Sequence, residues 1–470
     1  MTQPNLVLFL TDDHGHWTLP CYGNKGVRAP VLSELAGEGT VFANAFTPSP
    51  VCSPARASLL TGRIPSAHGI HDWIPEAKDD GTFPHIDAMP GNLVEQLRAA
   101  GYVTAYAGKY HCNHAKANPL GFDCWFTQKP PYNYNSSGPQ SWYDNGRERL
   151  TEGPQAPVIT EAALRFLRGR DRSKPFCLLV GHINTHAPHT GEEAAFVDHY
   201  RRLKSHDMEV EPFHDAHGSV RFLPKPDPAH YHEQTAQYFA AVEAIDHEVG
   251  RVVDELKKQS LMENTCLFYT SDHGHMNGHH GLHTKGNATV PVNFLEESIR
   301  VPLLVSGPGI PGGRRIEAFT DHCDLHATLL DLAGAGADAR APDGTPLPGI
   351  SRAACLRGGN PANKPYQFCE YGNARMIRDR RYKLIRRFPG PNGHFPDEFY
   401  DLETDPRETC NLFHDPEARE GIDRLSGPLE DFFSVYSLPE RSGLRMENLA
   451  QFHKTSCWNI DPVAFPVIYQ

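Results

Sequence analysis

Short apolar runs and longer amphipathic segments alternate along the first half of the chain, the order that a parallel sheet with crossover helices requires. Asn5 to Leu10 is almost wholly apolar and predicts a buried strand. Pro30 to Glu38 predicts a helix, with Pro at its start and Gly39 just past its end. Val41 to Phe46 predicts a second strand, and Pro54 to Thr61 a short helix. Asn92 to Ala100 carries an Asn cap, Glu95 three residues on and Gly101 as terminator, and Tyr102 to Ala107 then predicts a strand. Phe176 to Val180, Cys266 to Tyr269 and Val301 to Val305 are further strands, and Asp324 to Ala333 is a helix closed by Gly334. From Glu233 to Lys258, apolar Phe239, Val242, Ile245, Val249, Val252, Val253 and Leu256 recur at three and four, which marks one long amphipathic helix.

The pattern breaks in three places. From Thr127 to Pro157 there is no period and the residues are Pro, Tyr, Asn, Ser and Gly, which predicts a long loop; residues 200 to 231 predict another. A Gly/Pro/Ala-rich stretch from 334 to 366 marks a boundary, with strand candidates at Arg381 to Ile385 and Glu398 to Leu402 beyond it. The expected fold is therefore α/β: a large mixed, mostly parallel sheet sandwiched by helices in residues 1–340, and a smaller α+β subdomain in residues 341–470. The tail from Arg441 to Gln470 is partly apolar, a docking element for the main domain or for a second subunit, so homo-oligomerisation stays open.

Composition adds exclusions. Among 470 residues, 39% hydrophobic and 22% charged is a globular balance, and forty Gly with forty Pro mean many loops. A formal net charge of −12 argues against nucleic acid and acidic membranes as partners, while leaving room for a local cationic pocket. No window approaches the ~18 apolar residues of a membrane span, and Leu6 to Leu10 ends in Asp12 and Asp13 rather than a cleavage site. Eleven scattered cysteines without C-x-x-C pairs suggest reduced thiols in the cytoplasm; a periplasmic or secreted location would apply if the chain is a processed form.

The chemistry-bearing clusters fall at the C-terminal ends of the expected strands, where ligands gather in open α/β sheets. Asp12 and Asp13 close the first strand, Lys109 and His111 follow another, Thr185 and His186 a third, and Asp272 and His273 a fourth. Two carboxylates at one strand end and an Asp-His pair at another could hold a divalent cation, oxygen donors favouring Ca²⁺ or Mg²⁺ and imidazole favouring Mn²⁺ or Zn²⁺. Lys109 and His111, two apart on an extended stretch, project to one side and suit a tetrahedral oxyanion. Cys52, just ahead of Ser53-Pro54 and a helix-forming run, is expected at a helix mouth that attracts anions, with Arg56 one turn in.

Cys52-Ser53-Pro54-Ala55-Arg56 followed by Ala57-Ser58-Leu59-Leu60-Thr61-Gly62-Arg63 resembles the signature of the type I sulfatases, a branch of the alkaline phosphatase superfamily. The resemblance extends to Gly108-Lys109-Tyr110-His111, Thr185-His186-Ala187-Pro188-His189, His280-Gly281-Leu282-His283-Thr284-Lys285-Gly286 and, near the C-terminus, Tyr400-Asp401-Leu402. It implies that Cys52 is converted to Cα-formylglycine by a formylglycine-generating or anaerobic sulfatase-maturating enzyme. It further implies that Asp12, Asp13, Asp272 and His273 hold one divalent metal, Ca²⁺ foremost, with Mn²⁺, Mg²⁺ and Zn²⁺ admitted because His273 replaces the commoner Asn. Arg56, Lys109, His186 and Lys285 would stabilise the sulfuryl group, and His111 or His186 would protonate the leaving oxygen. The implied activity is hydrolysis of a sulfate ester, on a carbohydrate because the loops are long and polar. Phosphonate monoester or phosphodiester hydrolysis within the same superfamily, and a non-catalytic anion-binding protein, are the alternatives. Trp73, Tyr132, Tyr134, Trp142, His214, His217 and Arg221 are candidate walls of the substrate pocket.

Overall fold

A computed structural model describes residues 3–445 apart from 76–83, 114, 136, 205–218, 221–227, 337, 391–392 and 394. A ten-stranded sheet forms the centre, in the order Arg314–Ile316, Thr40–Phe42, Leu303–Ser306, Thr265–Ser271, Asn5–Thr11, Phe176–Gly181, Val103–Gly108, Cys124–Gln128, Gln140–Asp144, Arg147–Thr151. The five strands from Thr265–Ser271 through Cys124–Gln128 run parallel, and Leu303–Ser306 and Gln140–Asp144 pair antiparallel on either side of them. The first strand reads as a continuous apolar run because both its faces are covered. Leu6, Leu8 and Leu10 pack with Ala57, Leu59 and Leu60 of the Cys52–Thr61 helix, whereas Val7 and Phe9 pack with Val242, Ile245 and Val249 of the long Pro228–Lys258 helix.

Several expectations hold to the residue. Pro30–Glu38 is a helix, and Asn92 caps Leu93–Ala99 by accepting from the Glu95 amide. Others are corrected. The segment Thr127 to Pro157 is not one long loop but holds the hairpin Gln140–Asp144 and Arg147–Thr151, turning at Asn145 and Gly146, both at positive φ. Asn-Gly supplies that turn without strain and buries Trp142, which stacks on Phe126 and so belongs to the core rather than to a substrate pocket. Val41 to Phe46 splits into the strands Thr40–Phe42 and Ala45–Phe46. The expected loop at 200 to 231 begins inside the helix Ala194–Arg202 and includes the strand Ser219–Val220, while His214, His217, Arg221 and residues 446–470 lie outside the described residues.

The C-terminal part forms a four-stranded antiparallel sheet, Gln367–Tyr371, Ala374–Arg378, Tyr382–Arg387 and Glu398–Asp401, under the helix Arg419–Tyr436. Ile377, Leu384 and Phe399 meet Ile422, Leu425, Leu429 and Phe433 there. Buried ion pairs tie it to the main sheet's loops: Lys383 lies 2.8 Å from Glu296 and 2.6 Å from Glu408, and Arg378 also pairs with Glu296. Among the described residues no helix is long and apolar enough to cross a membrane.

Candidate active site

The loops leaving the parallel strands converge where the sequence places its chemistry. Asp12 and Asp13 follow Thr11, and Asp13 adopts φ 56, a costly conformation that turns its carboxylate back toward the strand that ends at Ser271. The Asp13 amide donates to Asp272 Oδ1 at 3.2 Å. Lys109 follows Gly108, whose φ of 127 and approach to the Gly181 carbonyl leave no room for a side chain. Cys52 is the first residue of its helix rather than two residues before it.

Two charged arcs result. On one side Lys109 Nζ lies 2.6 Å from Asp12 Oδ2, and Arg56 reaches Asp272 Oδ2 (Nε, 2.8 Å), the Lys109 carbonyl (Nη1, 2.6 Å) and Asp12 Oδ1 (Nη2, 3.6 Å). On the other, Lys285 Nζ lies 2.7 Å from Asp13 Oδ1 and 3.2 Å from Cys52 Sγ. His273 Nε2 sits 3.2 Å from Cys52 Sγ, 3.1 Å from Asp13 Oδ1 and 3.5 Å from Asp272 Oδ1. All these groups are buried. Burial alone would raise the Asp12 and Asp13 pKa values, but Lys109 and Lys285 respectively overcome it and hold both carboxyls well below the usual range. Asp272 goes the other way because its burial dominates. Burial lowers the basicity of His273, yet Asp272 and Asp13 outweigh it and push its pKa well up.

Three observations fit a divalent cation. Asp12, Asp13, Cys52 and His273 offer donor atoms within 4.8 Å of one another. Asp12 Oδ1 is buried and accepts no hydrogen bond. The Nδ1 of His273 donates to the Gly274 carbonyl at 2.8 Å, which aims Nε2 at the carboxylates; to ligate a cation Nε2 would give up the proton that Asp272 and Asp13 favour there. Asp272 stands at the rim of this cluster, its Oδ2 taken by Arg56 and its Oδ1 by two backbone amides.

Beside Cys52 opens a cavity of 280 Å³ lined by Asp13, Trp73, His111, Tyr134, His186, Thr284, Lys285 and Asn287. His111 donates from Nε2 to the Ile74 carbonyl at 2.9 Å, and its Nδ1 is buried without a partner, as is Thr284 Oγ1. His186 donates from Nδ1 to the Ala187 carbonyl at 2.6 Å. Burial pushes both imidazoles down, His186 to about 3 and His111 well below its ordinary value, so both are neutral at physiological pH. Cys52, His111, His186 and Lys285 thus face the cavity, while Arg56 and Lys109 brace carboxylates behind it. Thr284 and Asn287 were not singled out as site residues; both lie on the segment that also carries Lys285, so the motif around Lys285 was the available signal.

The profile of the family described as Sulfatase matches residues 4–335, most of the chain. This protein belongs to the sulfatase family. It is accordingly a sulfuric ester hydrolase with an alkaline phosphatase-like fold. The profile described as N-sulphoglucosamine sulphohydrolase, C-terminal, matches residues 278–433. The chain is 26% identical to an N-acetylglucosamine-6-O-sulfatase of Bacteroides thetaiotaomicron over 92% of its own length and 87% of that sulfatase. It is 28% identical to a choline-sulfatase of Rhizobium meliloti, covering 88% of this chain and 83% of that one. A solved structure of a protein with its substrate D-glucosamine-2-N,6-O-disulfate superposes with a TM-score of 0.74 at 23% identity, over 93% of this chain and 98% of that one. As a sulfatase the protein is expected to use a divalent metal and formylglycine, and the Asp12, Asp13, Cys52, His273 cluster is where the metal fits.

Proposed function

We propose that this sulfatase removes sulfate from a small sulfated saccharide, with Cys52 matured to formylglycine and a divalent cation at Asp12, Asp13, Asp272 and His273. The observation that carries the substrate class is the cavity beside Cys52. Its 280 Å³ suits one sugar ring; Trp73 offers an apolar face, and His111 Nδ1 and Thr284 Oγ1 are polar atoms awaiting partners. A polyhydroxylated ring supplies both kinds of contact. The hexosamine sulfates acted on by the Bacteroides relative and bound by the structural neighbour are of this class.

In the present structure Cys52 Sγ stands in for the oxygen of the hydrated aldehyde. When present, that aldehyde diol supplies the nucleophilic hydroxyl and the cation lowers its pKa. Lys285, within 3.2 Å of Sγ, is set to hold the attacking oxygen and a sulfuryl oxygen together. Lys109 and Arg56 pair with Asp12 and Asp272 and hold them in place, and Lys285 pairs with Asp13; a bound dication would add positive charge for the sulfate. His111 and His186 are neutral, each with its N–H on a backbone carbonyl, so the other nitrogen accepts hydrogen bonds from the leaving group's hydroxyls; either could protonate the departing oxygen after taking up the proton that the nucleophilic hydroxyl gives up. The cation is expected to be Ca²⁺, with Mn²⁺, Mg²⁺ and Zn²⁺ admitted by the imidazole donor. Since Cys52 is only 1% exposed, a formylglycine-generating or anaerobic maturating enzyme would have to act before the chain folds.

We also propose residues 1–340 as the catalytic unit and 341–470 as the smaller one, joined by the Lys383 ion pairs. The described cysteines are all unpaired thiols, which fits a cytoplasmic location. The test is hydrolysis by matured protein of glucosamine 6-sulfate and an aryl sulfate, read as sulfate release, and of an aryl phosphonate monoester, read as phenol release. Faster turnover of the sulfates supports the reading; preference for the phosphonate contradicts it, and ligand binding without turnover would favour a non-catalytic anion-binding role.

A further inference from the structure

Both imidazoles that face the leaving-group cavity are packed against tyrosines of one turn. Tyr132 meets His111 edge-on, with ring centroids 5.3 Å apart at 89°. Two residues on, Tyr134 stacks on His186 at 4.1 Å and 19°, and the Lys109 ammonium lies 4.9 Å from the centre of the same ring. The tyrosines also touch each other, at 6.1 Å and 82°. Each imidazole is tied to a backbone carbonyl through one nitrogen alone, His111 to Ile74 and His186 to Ala187, so a ring can still swing about that bond. The tyrosine faces supply the second restraint.

The turn is held more firmly than a solvent loop. Three buried glutamines clamp its backbone: Gln155 donates to the carbonyls of both Asn133 and Asn135, Gln128 to Asn133 at 3.3 Å and Gln140 to Asn135 at 3.2 Å. Asn133 Oδ1 accepts from the Asn135 amide at 3.0 Å, and Thr190 Oγ1 donates to Asn135 Oδ1 at 2.9 Å, joining the turn to the segment that carries His186. Buried amides bonded to the carbonyls of half-buried Asn133 and exposed Asn135 make structural sense if the turn's side chains must be placed to a fraction of an ångström.

We propose that the Tyr132-Asn133-Tyr134 turn is a positioning device that fixes His111 and His186 against the leaving group, and that Tyr132 and Tyr134 thereby tune the enzyme toward esters with poor leaving groups. The inference rests on the roles assigned above to the two imidazoles. An aryl sulfate departs with little proton help, whereas a sugar alkoxide needs it, so a displaced imidazole penalises the saccharide far more.

The experiment compares kcat and KM of matured wild type with Tyr132→Leu and Tyr134→Leu, their Phe counterparts, and each Leu change combined with His111→Ala or His186→Ala, on glucosamine 6-sulfate and an aryl sulfate. The Leu variants should lose about tenfold to a hundredfold in kcat on the saccharide and much less on the aryl ester, while Phe, which keeps the ring, restores the saccharide rate. Tyr132→Leu should cost nothing further once His111 is Ala, and Tyr134→Leu nothing once His186 is Ala. Gln155→Leu, which loosens the turn with both rings intact, should reproduce the substrate-dependent loss and serves if a Leu variant does not fold. Equal losses on both esters with additive double variants, or Leu variants that match wild type, overturn the proposal alone. Failure of matured wild type on both sulfates overturns the functional reading, and the proposal with it.

Discussion

Arg56 offers a sharp test of how the charged site is held together. Its guanidinium is 1% exposed and makes contacts with Asp272 Oδ2 at 2.8 Å, the Lys109 carbonyl at 2.6 Å, the Thr11 carbonyl at 3.4 Å and Asp12 Oδ1 at 3.6 Å. Arg56→Met keeps most of the stem and deletes every one of these contacts. Asp272 Oδ2 then loses its direct ion-pair partner and Asp272 keeps His273 at 3.5 Å as its nearest positive charge, in a place where burial already raises its pKa. Breaking one side of a buried pair costs about 3–5 kcal/mol, a large share of a total stability of about 5–15 kcal/mol. Chelated wild type and variant, unfolded in urea at neutral pH, should differ by that amount. The gap should narrow as pH falls: without Arg56 the folded Asp272 pKa rises further above its unfolded value, so the folded variant takes up a proton that the unfolded chain does not, and regains stability. Arg56→Lys, a point charge that cannot span Asp272 and the Lys109 carbonyl together, should fall between. In folded protein the Met variant should lose at least about a hundredfold in kcat through displacement of Asp12 and Asp272. A difference under about 1 kcal/mol, with kcat unchanged, would refute the claim that Arg56 holds these carboxylates in place.

Lys285→Met should lower kcat by about 10²–10³ with the fold intact, since its ammonium stands 3.2 Å from Cys52 Sγ; an unaltered kcat would remove Lys285 from the reaction. Chelation should abolish activity and lower the melting temperature, and a cation at a hundred times its Kd should return about 2.7 kcal/mol; a melt indifferent to chelator would mean that no metal is bound there. His182 and His326 are pushed by burial to about 3 and about 4. The unfolded chain therefore binds protons below about pH 6.5 that the folded chain refuses, and stability should fall as pH drops from there toward about 4, by up to about 1.4 kcal/mol per pH unit per histidine. His182→Asn should flatten that slope in urea titrations, and an unchanged slope would contradict the burial argument. Lys383→Met, which strands Glu408 and leaves Glu296 to Arg378, should cost about 3–5 kcal/mol in the same assay, and a near-neutral result would show that the two sheets do not depend on that network.

What the sequence disclosed follows from where its signals are local. Helix Pro30–Glu38 and the capped Leu93–Ala99 helix are written in adjacent residues, as are the apolar runs of the parallel strands. The hairpin at 140–151 was hidden because Trp142 and Tyr143 sit among polar residues, although Asn145-Gly146 marked the turn. The strands Gln367–Tyr371 and Ala374–Arg378 escaped notice for a related reason: charged Glu370, Arg375 and Arg378 interrupt them, and Glu370 and Arg378 are buried as hydrogen-bonded or ion-paired groups only once the chain has folded. The candidate site was legible because strand ends announce it, but the division of labour within it was not. Arg56 was expected to brace an oxyanion and a neighbouring side chain, and Asp272 is such a side chain; Tyr132 and Tyr134 gain meaning only beside His111 and His186, whose contacts span tens of residues.

The central claim is that Cys52 is the precursor of the nucleophile. Mass spectrometry of the tryptic peptide running from Ala29 to Arg56, from protein made together with a formylglycine-generating enzyme, tests it directly. A loss of about 18 Da at Cys52, with sulfatase activity rising in proportion to the converted fraction, is the predicted result. Full activity in protein whose Cys52 is still an unmodified thiol would contradict the account.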